Sequence, residues 1–257
     1  MNYVILDIEF NGRKFASDLP MEVIEIGAVK LNAELHVIDE FTALIKPVYF
    51  STLNDFIKEK TGIAQEEIDN ACRFPHVITQ FIEWLDPASP FLLVTWGGED
   101  VKRIIYDTRM HRLNDSIWMS LHYYDLLKGF LRATHKKNDV SVENALLELG
   151  MAPEKPAHRA LGDAHMTSEI FRAMFDRLDL EQTRQYKDVY SNARERRAVK
   201  NAARQLLLKQ LEPEWDALIE QGYLKHVPLS DPRKVAELQQ YFTEEANKLR
   251  ASRLKHH

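Results

Sequence analysis

The sequence predicts an α/β protein: a mixed β-sheet flanked by helices, followed by a helical C-terminal extension. Three observations carry this. Near the N-terminus, three stretches rich in β-branched residues follow one another, the second and third separated by a hairpin-length turn, which predicts antiparallel strands. Phe91 to Trp96 is a continuous apolar run closed by Gly97-Gly98, which suits a strand buried on both faces in mid-sheet. Beyond Thr183 the composition turns helix-prone and basic: residues 1–183 hold 19 Lys and Arg against 29 Asp and Glu, whereas residues 184–257 hold 15 against 10. The chain therefore reads as an acidic domain over 1–183 and a basic extension over 184–257.

In the first strand, Val4 to Phe10, side chains alternate between faces, so Val4, Leu6, Ile8 and Phe10 point one way and Ile5, Asp7 and Glu9 the other. Asp7 and Glu9 are thus neighbours on one face, roughly 7 Å apart at the backbone. An acid on a strand most often simply faces water, so this pair points to a site only if partners for it exist. Asn11 to Pro20 is polar, contains Gly12 and Pro20, and reads as a loop. Strands follow over Glu22–Leu31 and His36–Lys46, with Pro47 ending the last. Helical patterns cover Ser51–Lys60, broken by Gly62, and Pro75–Leu85.

After Phe91–Trp96, Asp100 lies where a strand ends and a helix running to Arg112 begins, the end of a sheet at which α/β folds bind ligands. The alternative is a helix-start acid complementing the macrodipole. Helices are expected over Ser116–Leu131, over Ser141–Leu149 with Ser141 as N-cap and Gly150 at the end, and from Leu161 to Leu178. His158 and Asp163 precede or begin that last helix. On a continuous helix they would sit roughly 140° apart; they can converge if His158 is still in the loop and Asp163 in the first turn. His158 also has a plain reading as a capping or packing residue.

Cys72 is the only cysteine, which excludes an intramolecular disulfide and points to a reducing, cytoplasmic setting. The apolar runs are too short to span a bilayer, and the first strand begins too early to leave room for a signal peptide, so no membrane association is expected. His256 and His257 are excluded from any site.

The set Asp7-x-Glu9, Asp100 and His158-x4-Asp163 resembles the DEDDh branch of the DEDD exonuclease superfamily, whose fold is RNase H-like. The similarity covers roughly the first 180 residues, and all five motif positions are filled. The blocks PMEVIEIGAVKL (20–31), IKPVYFSTLNDFIKEKTGI (45–63), FPHVITQFIEWL (74–85) and HRALGDA (158–164) are most similar to the group of histone-mRNA and RNA-interference-enhancing exoribonucleases and KapD-like bacterial proteins. One departure is Gly162, where relatives commonly carry another acid.

The resemblance implies hydrolysis of phosphodiester bonds from the 3′ end of a single strand, RNA favoured, releasing nucleoside 5′-monophosphates. Asp7, Glu9, Asp100 and Asp163 would hold two Mg2+ or Mn2+ ions. Hard cations prefer carboxylate oxygens, and two ions held about 4 Å apart can clamp the attacking and leaving oxygens. His158 would take the proton of the attacking water. Phe10 is assigned to the substrate by resemblance and to the core by its alternation. Glu99 competes with Asp100, and Asp125 reads as a structural acid. His122 and His165 lie off the motif, and Trp96 reads as buried. The extension is open to contacting phosphate, a second copy of the chain or a protein partner. Alternatives are a proofreading-type DNA exonuclease, an oligonucleotide-clearing enzyme, and a regulatory binding protein on the same fold.

Overall fold

The structure is a computed structural model and describes residues 1–11, 21–153, 158–209 and 211–254, without the side chains of 252–254. It divides into two compact units, Met1–Tyr186 and Lys187–His257. The loop expected over 11–20 lies, beyond Asn11, outside the described residues.

In the first unit, β1 (Asn2–Phe10), β2 (Val23–Leu31) and β3 (Val37–Lys46) form the expected antiparallel run. Next come α1 (Asp55–Thr61), α2 (Gln65–Asn70), β4 (Cys72–Arg73), α3 (Phe74–Leu85), β5 (Phe91–Thr95) and α4 (Glu99–Met110). The unit ends with α5 (Ser116–Ser120), β6 (His122–Asp125), α6 (Leu126–Ala133), α7 (Val142–Glu148), α8 (Ala160–Met174) and β7 (Arg184–Gln185). The seven-stranded sheet runs β4-β3-β2-β1-β5-β6-β7, with β5 parallel to β1 and β6 parallel to β5. This is the mixed, helix-flanked sheet expected, with β1 at its centre.

Central β1 is buried on both faces. Val4, Leu6 and Ile8 pack with Phe74, Val77, Ile78 and Phe81 of α3 and with Ile104 and Ile105 of α4. Tyr3 and Ile5 pack with Ile170, Phe171 and Met174 of α8. The alternation that puts Tyr3 and Ile5 on the α8 side also aims Asp7 and Glu9 there.

Three stretches differ from expectation. Ser116–Leu131 is not one helix: residues 122–125 form β6, which extends the sheet beside β5, with Tyr123 and Tyr124 buried. Trp118 and Phe130, both fully buried, belong to two short helices on either side of it, so together they mimic one apolar face. Asp125 restarts the chain as a helix by accepting the Lys128 N–H at 3.0 Å. Second, α1 begins only at Asp55, because Asn54 caps it by accepting the Ile57 N–H at 2.9 Å. Third, the two-residue strands β4 and β7 are too short to leave a sequence pattern.

The second unit contains α9 (Ala193–Leu208), α10 (Trp215–Glu220) and α11 (Pro232–Leu254) around its own core of Val199, Leu206, Leu218, Leu238 and Phe242. Among the described residues, no helix is long and apolar enough to cross a membrane.

One contact fixes where α8 starts. A Cβ at Gly27 of β2 would fall 2.1 Å from the Leu161 nitrogen and 2.2 Å from the Ala160 carbonyl carbon. Helix and strand backbones touch there without an intervening side chain. Gly27→Ala is accordingly expected to destabilise the protein by about 3 kcal/mol, since the clash is with backbone and neither element can yield cheaply. Denaturant unfolding measures this, and an unchanged midpoint would show that α8 does not sit directly on β2.

Candidate active site

Three chain segments supply the five motif residues. Asp7 and Glu9 project from β1 toward α8, opposite Gly27 and Glu25 of β2, and the register shifts between Glu9 and Phe10. Asp100 is the second residue of α4, where the N-terminal end of the helix favours negative charge. His158 precedes α8 by two residues and Asp163 lies in its first turn, the arrangement that lets the two converge. His158 Nδ1 stands 3.7 Å from Asp163 Oδ2. Ligand-competent atoms of Glu9, His158 and Asp163 all lie within 4.8 Å of one another.

Electrostatics bring Asp7 and Asp100 into the same cluster. Burial pushes the Asp7 carboxyl well above its ordinary range, and Asp100, Asp163 and Glu9 push it further up. Burial likewise raises Glu9 to about 7 against the pull of Lys60. Asp100 is raised to about 7 by burial, although the N–H groups of Asp100 and Ile8 favour its charged form. Asp163 is raised mainly by burial, with His158 pulling it back.

Two acids on this sheet face have cations. Glu9 and Glu25 sit directly opposite across β1 and β2, a like-charge pairing that costs stability unless each is neutralised. Lys60 Nζ, from α1, lies 3.5 Å from Glu9 Oε2. Glu25, 1% exposed, accepts two N–H groups of the Arg159 guanidinium, at 2.9 Å from Nε and 2.7 Å from Nη2, and the Ala160 N–H at 3.0 Å. This clamp ties the residues just after His158 to β2. The His158 N–H also donates to the Lys60 carbonyl at 3.2 Å, so the histidine's backbone is held on two sides. Its side chain stays 43% exposed.

Lys60, Glu25 and Arg159 were not expected from sequence. Glu25 carried a signal, an acid inside an otherwise apolar strand, and Arg159 follows the motif histidine directly; Lys60 carried none. Glu99 is exposed and paired with Arg103 at 2.6 Å. Asp125 caps α6 and pairs with Arg184 at 3.2 Å, and His165 pairs with Glu40 at 3.1 Å. His122 is exposed. Trp96 is half-buried and donates to the Val140 carbonyl at 3.0 Å. Phe10 packs against the α3 and α4 side of the core, with the Arg103 guanidinium 5.0 Å from its ring centre.

The donor set fits a hard divalent cation. It is carboxylate oxygen with one imidazole, and Asp163 Oδ1 is buried without a hydrogen-bond partner among the described residues. Only a cation relieves the repulsion among these acids while leaving them charged.

This arrangement, acids and a histidine gathered at the edge of a central strand in a mixed sheet, is that of a nuclease. A family model described as "Exonuclease" matches residues 4–171, and the chain belongs to that family. Its similarity extends to a PolC-type DNA polymerase III of Thermotoga petrophila, 31% identical over 173 residues, which cover 66% of this chain and 11% of the polymerase. The chain thus spans about a tenth of that relative's length. The probable 3′-5′ exonuclease KapD of Bacillus subtilis is 25% identical over 186 residues, covering 71% of this chain and 86% of KapD. Among solved structures, the nuclease domain of 3′hExo, a DEDDh family member bound to rAMP, superposes with a TM-score of 0.64 at 22% identity, covering 73% of this chain and 97% of that domain. The RNase H-like exonuclease fold is therefore the fold of the first unit.

The raised carboxyls set a pH dependence. Such a group is protonated in both states at low pH and ionises first in the unfolded chain. Stability therefore falls as pH rises from the ordinary 4.5 through about 7, the range of Glu9, and then levels off. In EDTA, Tm is expected to be lower at about pH 8 than at about pH 5, and added Mn2+ should raise it more at the higher pH, where the ligands give up their protons readily. Asp107, also raised to about 7 but bonded to the Val23 N–H, contributes a part that metal leaves unchanged. Thermal unfolding that shows no Mn2+ effect at either pH would remove the metal site.

Proposed function

We propose that the chain is a divalent-metal-dependent 3′-to-5′ exonuclease that acts on single strands, RNA favoured, and releases nucleoside 5′-monophosphates. What supports this reading is the gathering of Glu9, Asp163 and a half-exposed His158 within 4.8 Å, with Asp7 raised by the charges of Asp100, Asp163 and Glu9. These four carboxylates would hold two Mg2+ or Mn2+ ions. When bound, the ions lower the pKa of water and neutralise charge on the phosphodiester.

The chain's own residues do the rest. His158 faces Asp163 through Nδ1, which leaves Nε2 to take the proton of the attacking water; the exposed position lets water and the strand end reach it. The Glu25–Arg159 clamp and the Lys60 carbonyl hold the imidazole's backbone while its side chain turns. Lys60 neutralises Glu9 until cations arrive, after which its ammonium is available to phosphate. In the free protein Phe10 is covered on one side by core and on the other by Arg103, so stacking a terminal base on it would require Arg103 to move.

The rAMP bound to 3′hExo supports RNA as substrate. The second reading, a DNA exonuclease, is favoured by the 31% identity with the PolC-type polymerase. The acid set and histidine bind phosphate and water, and discrimination between the sugars requires contacts to the 2′-hydroxyl.

Matched 5′-labelled RNA and DNA strands test both. Wild type with Mg2+ or Mn2+ is expected to shorten the RNA from its 3′ end, EDTA and Asp7→Ala to abolish this, and His158→Gln to lower kcat by roughly 10²–10⁴-fold. Both strands surviving intact with metal present would sink the reading, and faster loss of DNA would transfer it to the second.

A further inference from the structure

The family match ends at residue 171, so the second unit has no assigned role. Its charge is unevenly placed. Residues 187–257 hold 14 Lys and Arg against 10 Asp and Glu, whereas α9 alone holds five against one. The unit's positive charge is thus most concentrated on α9, with α11 at five against three.

The cations of α9 fall into two sets. Arg196 donates to the Ser191 carbonyl at 2.7 Å and pairs with Glu237 at 3.6 Å, and Lys200 pairs with Glu245 at 2.8 Å. Both partners lie on α11. Arg194, Arg197 and Arg204 are exposed and make no ion pair or hydrogen bond among the described residues. At 100° and 1.5 Å per residue these three fall within an arc of about 80° along about 15 Å of helix, with exposed Asn201 and Gln205 on the same face. The buried residues Val199, Ala202, Ala203 and Leu206 occupy the opposite side.

This face disfavours the free helix in two ways. Arg194 and Arg197 lie in its first turns, where positive charge opposes the macrodipole. No acid stands three or four residues from any of the three, and Arg194–Arg197 is a like-charge pair at that spacing, as are Arg197–Lys200 and Lys200–Arg204. A solvated helix ordinarily intersperses its charges. A single-signed row of guanidinium groups, each able to take a phosphate through two N–H groups, suits a polyanion backbone.

We propose that Arg194, Arg197 and Arg204 on the outer face of α9 form a second nucleic-acid contact, a phosphate-binding stripe that holds the body of the single strand whose 3′ end the first unit processes. It rests on the nuclease reading for the identity of the polyanion. Because both contacts belong to one chain, the stripe raises the effective concentration of the strand at the site and leaves the hydrolytic step unchanged.

The test uses full-length protein, R194Q/R197Q/R204Q and the reversal R194E/R197E/R204E. Binding of a labelled single-stranded oligonucleotide of about 20 nucleotides is followed by anisotropy in EDTA as a function of salt. The glutamine triple is expected to lose at least tenfold in affinity and to flatten the slope of log K against log salt by about 2, three contacts at about 0.7 each. The reversal should lose more. With metal, KM for the long strand should rise while hydrolysis of thymidine 5′-p-nitrophenyl phosphate, a single nucleotide with no strand body to hold, stays at the wild-type rate. Unchanged affinity and slope in both triples would overturn the proposal and leave α9 a solvated face or a dock for an acidic protein. Since binding is read in EDTA, a wild type that binds without cleaving would overturn the nuclease reading and not the stripe.

Discussion

The cost of crowding partly buried carboxylates is the constraint on which the nuclease unit depends. Desolvation raises the proton affinity of Asp7, Asp100 and Asp163, and the charges of Asp100, Asp163 and Glu9 raise that of Asp7 further; gathering them costs free energy that the scaffold must supply. It does so by making β1 the centre of the sheet, with apolar side chains filling both faces up to Ile8. A strand so held cannot relax to separate its acids. Two acids of this face receive cations from the chain itself, Glu25 from Arg159 and Glu9 from Lys60. Asp7 and Asp100 make no ion pair among the described residues, and Asp163 has only the imidazole of His158. This unneutralised remainder, together with Glu9, is the set proposed to hold metal.

The Glu25–Arg159 clamp shows how fold and site share parts. A buried ion pair adds little net stability over apolar packing of the same volume, but losing one partner leaves an uncompensated buried charge. Its service here is positional. With the Ala160 N–H on the same carboxylate and α8 seated on Gly27, the start of the helix is fixed against β2 to within a hydrogen bond. Asp163 follows one turn later and His158 hangs just before, so one contact sets the placement of both. The histidine's backbone is fixed while its side chain is exposed, which suits a group that must exchange a proton with solvent-borne substrate.

What could be read from the sequence follows from how local each signal is. The strand alternation of Val4–Phe10, the hairpin at 32–34 and the apolar run before Asp100 are written in consecutive residues, and they locate three acids at the correct ends of strands. His158 and Asp163 needed only a helix start between them. By contrast, β6 was hidden because Trp118 and Phe130 flank it at a spacing that also fits one continuous helix; what decides is pairing with β5, a distant segment. Lys60 and the Glu25–Arg159 pair were hidden for the same reason: 134 residues separate the clamp's partners. Phe10 illustrates the remaining limit. Its alternation points it to the core and its neighbours point it to the site, and in the folded chain it serves the first while lying one residue from the second.

Division of charge between the two units gives this organisation a further logic. The nuclease unit, residues 1–186, carries 20 basic and 29 acidic residues, and its site concentrates that negative charge where a polyanion must arrive. Bound cations would reverse the sign locally, but they cannot reverse the field over the length of a strand, which a Debye length of about 8 Å limits to near contacts. The stripe proposed on α9 would supply attraction for the strand body from the second unit. Spreading basic residues over the nuclease unit would compete with metal for the buried carboxylates, as Lys60 already does at Glu9. The proposed stripe puts phosphate-binding cations in a unit with its own core, separate in sequence from the acids proposed to bind metal.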